Sequence, residues 1–172
     1  MTGGEALDTV LTKRLIEVLH KETDIFKGIL KLSKNKTDTI VEGKVSELES
    51  ITRLEQSMIL QLGKLEEERE ELVDKLAVQL NVEASDLTLT GLEKLLPKEE
   101  AEQLRDCRKM LPELLHEVDE TNVLNSKLIR NSLDYIDFSV NILTNAGTTG
   151  STYGNSGRSS DSKKRNFLDM RL

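Results

Sequence analysis

Apolar residues recurring at steps of three and four, over stretches almost free of proline, constrain this chain more than any other feature. In the first stretch Leu11, Leu15, Val18, Ile25, Ile29 and Leu32 fall on one helical face, with Glu22 filling the gap between Val18 and Ile25. In the second, Val45, Leu48, Ile51, Leu54, Met58, Leu62, Leu65, Leu72 and Leu76 keep the same rhythm except where Arg69 takes the stripe. The acidic run Glu66-Glu67-Glu68 with Glu70 and Glu71 occupies the other faces, where consecutive helical residues point apart and cannot converge on a metal. Gly28 weakens the first helix modestly, and Gly43 suits a helix C-terminus, so the spacing predicts helices over 5–42 and 44–80 folded back as an antiparallel hairpin. As a helix, 5–42 spans roughly 57 Å.

Residues 81–96 read as a connector. Asn81 ends the second helix, and Thr90-Gly-Leu-Glu93 reads as a capping box opening a short helix over 91–96. A third long helix is predicted over 97–145, with Pro97 in its first turn. Pro112 lies inside it and predicts a kink or short break before Glu113. The fold class is therefore all-α: an elongated antiparallel bundle of three long helices, a short connecting helix and a disordered C-terminal tail. The domain division follows, with a helical domain over 1–146 and a flexible basic tail over 147–172. That tail is dominated by Gly, Ser and charge, which cannot bury enough apolar surface to offset the entropy of ordering. Its end, Asn166-Phe-Leu-Asp-Met-Arg-Leu172, is either a short docking motif or an uninformative terminus.

Charge and composition exclude several functions. The net charge is −7. From Gly147 onward five bases face two acids, a net of +3, so the body carries −10. An acidic body has no basic face for phosphates, which argues against nucleic acid. A single cysteine, Cys107, allows no intramolecular disulfide. The N-terminus lacks the basic and apolar regions of a secretory signal, and no apolar run is long enough to cross a bilayer. A cytoplasmic protein is the expectation. An enzyme is not expected. His116-Glu117 lacks the second histidine of a zinc-protease helix, and the tail glycines lack the Lys-Ser/Thr of a phosphate loop. His20 reads as a partly exposed helix residue, and nothing in the sequence pairs Cys107 with a base. No metal or cofactor is implied.

Residues 124–143 stand out because the third helix carries two apolar stripes there. Ile129, Leu133, Ile136, Val140 and Leu143 form the first. Leu124, Leu128, Tyr135, Phe138 and Ile142 form the second, displaced by roughly 135° around the axis. One stripe can pack on the hairpin. Either the helix is central and buries both, or the second is a face for a partner's amphipathic helix.

The segments Glu42-Gly-Lys-Val-Ser-Glu-Leu48, Lys64-Leu-Glu-Glu-Glu-Arg-Glu-Glu-Leu72, Thr121-Asn-Val-Leu-Asn-Ser-Lys-Leu128 and Ser132-Leu-Asp-Tyr-Ile-Asp-Phe138 resemble, in order and spacing, the FlgN flagellar export chaperones. Thr152-Tyr-Gly-Asn-Ser-Gly157 resembles that family's closing element. Lys44, where an aspartate is common, Pro112 and the basic extension after Gly157 depart from the pattern. The resemblance implies a non-enzymatic cytoplasmic chaperone that holds terminal helices of the hook-associated proteins of the hook–filament junction (FlgK and FlgL type). It also implies delivery of that cargo to the type III export gate. Cargo binding then falls to Leu124, Leu128, Tyr135, Phe138 and Ile142, and gate docking to Tyr153. The rival reading is a structural or tethering coiled-coil protein that self-associates.

Overall fold

The computed structural model describes residues 9–149, with side chains through residue 145. Every described element is helical, as the periodicity predicts. Helix α1 spans Thr9–Val41 and α2 spans Val45–Leu80, followed by a 3-10 turn at Ala84–Asp86, a short α3 at Leu89–Glu93 and a long α4 at Lys98–Thr149. The chain divides into two units, Met1–Ser132 and Leu133–Leu172. The expected start of α1 at residue 5 and the tail beyond residue 149 lie outside the described residues.

The hairpin turn is built by Gly43, whose φ of +69° an L side chain rarely adopts. Its amide donates to the Ile40 carbonyl at 3.1 Å, and the Lys44 amide donates to the Thr39 carbonyl at 3.0 Å. This pair of bonds satisfies two of the carbonyls left open at the end of α1. Asn81 repeats the device at the end of α2 with φ 52°. Asparagine tolerates that conformation because its short polar side chain can bond locally.

The connector departs from expectation. Thr88, not Thr90, caps α3: its Oγ1 accepts from the Gly91 amide at 3.0 Å. The bond to N3 is the ordinary N-cap bond, and it moves the short helix to Leu89–Glu93 rather than 91–96. Helix α4 begins at Lys98, with the Pro97 carbonyl accepting from the Ala101 amide at 2.9 Å, so Pro97 stands just before the first turn.

The apolar core lies where the two ends of the hairpin meet the start of α4. Leu15, Ile16, Val18 and Leu19 of α1, Leu72 and Leu76 of α2, Leu92 of α3, and Leu104 and Cys107 of α4 form it. Leu92 is why so short a helix persists, for it is buried in that cluster. Further along, the two gaps in the sequence stripes find each other: Arg69 Nε donates to Glu22 Oε1 at 3.1 Å. Gly28 lies where an added Cβ would meet Met58 Cε at 2.9 Å, a close approach of α2 to the α1 backbone.

Cross-helix pairs fix the direction and register of α4. Thr12–Glu100, His20–Cys107, Ser33–Asn122 and Thr37–Asn125 are separated by 87–89 residues in sequence. A constant offset means that α4 runs parallel to α1, and hence antiparallel to α2. Two of these pairs precede Pro112 and two follow it, with no slip between them. Of the kink or short break expected at Pro112, the break is absent: α4 is one continuous helix through it. Pro112 and Arg108, whose carbonyl loses its bond, both lie on the exposed side, where the carbonyl is open to solvent and its lost bond costs less than it would in the core.

Candidate functional site

A polar layer closes the packed part of α4. Ser33 and Asn125 are almost wholly buried, and Glu55 nearly so. The Asn125 amide donates to the Ser33 carbonyl at 2.8 Å, and its Oδ1 accepts from the Thr37 hydroxyl at 2.6 Å. Ser33 Oγ lies 3.3 Å from both Glu55 Oε1 and Asn122 Oδ1. Lys36 Nζ completes the layer on Glu55 Oε2 at 2.6 Å. Each of the three long helices contributes, and the polar atoms of Asn125 and Ser33 are satisfied where they lie. Such a layer sets register, because sliding α4 by one turn strands several polar groups at once.

The hairpin runs out soon afterwards. With an offset of 88, Val41 at the end of α1 is level with residue 129 (41 + 88), whereas α4 itself continues to Thr149. Exposure follows. On the second stripe Leu128 is half-buried, whereas Leu124, Tyr135, Phe138 and Ile142 are exposed, Tyr135 by 71% and Phe138 by 62%. On the first stripe, which could have packed on the hairpin, Ile129 is half-buried and Leu133, Ile136, Val140 and Leu143 are exposed. A helix that buries both stripes is not what is found. Exposed apolar side chains at this spacing make the end of α4 the candidate site. Tyr153 lies outside the described residues.

Among the described residues, the chemistry nearest the packed core is a thiol and an imidazole. Cys107 Sγ is 3.6 Å from His20 Nδ1, a pairing the sequence did not reveal because the two are 87 residues apart. Burial pushes the Cys107 thiol above its ordinary pKa, so it is held as a neutral thiol and is not a reactive thiolate. His20 is exposed, as expected from the sequence. A cleft of about 510 Å³ between the helices is lined mainly by apolar side chains, among them Leu19, Phe26, Val73 and Leu111, together with Arg69 and its partners Glu22 and Glu66. No cluster of His, Cys, Asp and Glu suited to a metal occurs among the described residues, and no described helix is long and apolar enough to cross a membrane.

Sequence reasoning missed two parts of this region. The polar layer left only a faint signal, a lone Asn125 and Ser33 beside apolar positions. The exposure of the first stripe left none, since both stripes have the same periodicity as the buried part of α4.

Comparison with known proteins adds the context. The family described as "FlgN: FlgN protein" matches residues 1–161. A protein of Bacillus subtilis (strain 168), described as "Uncharacterized protein YvyG", is 28% identical over 131 residues, covering 76% of this chain and 79% of its own length. No solved structure matches the chain significantly.

Proposed function

The chain belongs to the FlgN family of non-enzymatic flagellar export chaperones, and from that premise we propose that its second α4 stripe is the surface that grips cargo. The cargo is a terminal amphipathic helix of a hook-associated protein, of the FlgK and FlgL type, held in the cytoplasm before export. Leu124, Leu128, Tyr135, Phe138 and Ile142 supply the apolar contact at the three-and-four spacing that a helix-in-groove complex uses. Tyr135 and Phe138 are the anchors, since aromatic side chains contribute large contact area at low entropic cost. The observation that carries this reading is the exposure of Tyr135 and Phe138 on a helix whose earlier turns are packed.

Delivery to the export gate is assigned to Tyr153. It lies within the family match, which ends at residue 161 and leaves the last eleven residues of the basic extension outside it. A tyrosine there can insert its ring into a pocket while its hydroxyl keeps a hydrogen bond.

The cargo assignment is tested by titrating a purified hook-associated protein against wild-type and Leu128→Ser/Phe138→Ser chains. The double variant should keep its helicity and lose cargo affinity by at least tenfold, about 1.4 kcal/mol. Equal affinity in a well-folded double variant would sink the assignment.

A further inference from the structure

We propose that the first stripe of α4 is an interface with a second copy of this chain, the two α4 segments running antiparallel about a two-fold axis between Asp134 and Tyr135. Ile129, Leu133, Ile136, Val140 and Leu143 step by four, three, four and three. That is the 3.5-residue repeat of a coiled-coil seam. Four of these five side chains are exposed in the single chain.

What identifies the occupant is complementarity of the seam with itself. In a two-fold pairing every residue must meet a suitable residue of the same patch. With the axis between Asp134 and Tyr135, Leu133 meets Ile136 of the second copy and Ile129 meets its Val140. Both relations occur twice, so four central layers are apolar on both sides. Leu143 meets Ser126 at each end. Along one edge of the seam stand Arg130 and Asp137, seven residues apart and both exposed. Neither forms an ion pair within its own chain among the described residues. In this register each faces its opposite in the other copy. Along the other edge stand Ser132 and Ser139, small enough to let the backbones approach.

The alternatives fit less well. A parallel pairing sets Arg130 against Asn125 and Asp137 against Ser132, and leaves both charges without counterparts. The second stripe also has flanking opposite charges, Lys127 and Asp134, but pairing those sets Leu128 against Asn131 in the two central layers. An apolar group facing an amide there loses contact and leaves the amide short of partners. The first stripe has no such interruption. Pairing through it leaves Leu124, Leu128, Tyr135, Phe138 and Ile142 on another side of the helix, so cargo binding and self-pairing are separable.

The test is sedimentation equilibrium of the full chain over about 5–500 µM, spanning the affinities expected of a short seam. Wild type should show a monomer–dimer equilibrium. Arg130→Glu and Asp137→Arg each turn two cross-copy attractions into repulsions and should raise the dissociation constant about tenfold. The combined charge swap, Arg130→Glu with Asp137→Arg, should bring it back to within about threefold of wild type. Leu133→Asp should abolish the dimer, and Phe138→Ser should leave it unchanged. Circular dichroism should show the same helicity in every variant, because all four positions are exposed. A chain that stays monomeric across the range would overturn the proposal. So would a dimer indifferent to either single reversal, a swap that fails to restore it, or a dimer lost in Phe138→Ser.

Discussion

The two halves of α4 carry the same sequence rhythm and meet different fates. From Ala101 through Asn125, one face is packed: Ala101, Leu104, Cys107 and Asn125 are all buried. From Leu133 through Leu143 both stripes are exposed. The apolar spacing is at least as regular in the second half as in the first. Periodicity therefore says which residues share a face, while burial depends on what stands opposite.

The contrast can be broken or sharpened by substitution, beginning with the largest effect on stability. Leu104→Ala, in the fully buried part of α4, should cost about 2–5 kcal/mol in urea unfolding followed by circular dichroism. A cost under about 0.5 kcal/mol would mean that the packed half is not packed. Asn125→Ala should cost about 1–3 kcal/mol, because it removes two buried hydrogen bonds, those to the Thr37 hydroxyl and the Ser33 carbonyl, although the hydroxyl keeps its bond to that carbonyl at 3.2 Å. An Asn125→Ala chain as stable as wild type would remove the polar layer from any role in register. At the exposed end, Leu128→Ser/Phe138→Ser should move stability by no more than about 1 kcal/mol, mostly through half-buried Leu128. Its expected effect is on cargo affinity instead, read by titration with a hook-associated protein. Tyr153→Ala should leave unfolding and cargo affinity unchanged. It should weaken binding of the chaperone–cargo complex to the purified cytoplasmic gate domain, and indistinguishable titrations would detach Tyr153 from delivery.

Much of the fold was legible in the residues. Three long helical segments follow from spacing alone, and the two interruptions, Glu22 and Arg69, proved to be a matched pair. Gly43 marked the turn because the backbone there needs a positive φ. The connector was less legible. Thr88 and Thr90 are both plausible caps, and only the observed bond from the Gly91 amide decides between them. Pro112 predicted a kink or a short break, and the helix is not broken there, because the proline faces solvent and α4 is held to α1 on both sides of it. At the site, the sequence placed both stripes on the helix but could not say that the first was uncovered. That depends on the register of α4 against α1, set through residues far apart in the chain.

That register also has a kinetic side. Helices α1 and α2 are joined through a tight turn and can zip from it, whereas every contact that aligns α4 with α1 closes a loop of some 88 residues. Loop-closure entropy must be overcome before such distant contacts contribute, so local pairs form early and distant ones late. On a ribosome the hairpin is also complete before α4 has emerged. Helix α4 is therefore the last to dock, and Leu104 and Cys107 stay in water until it does.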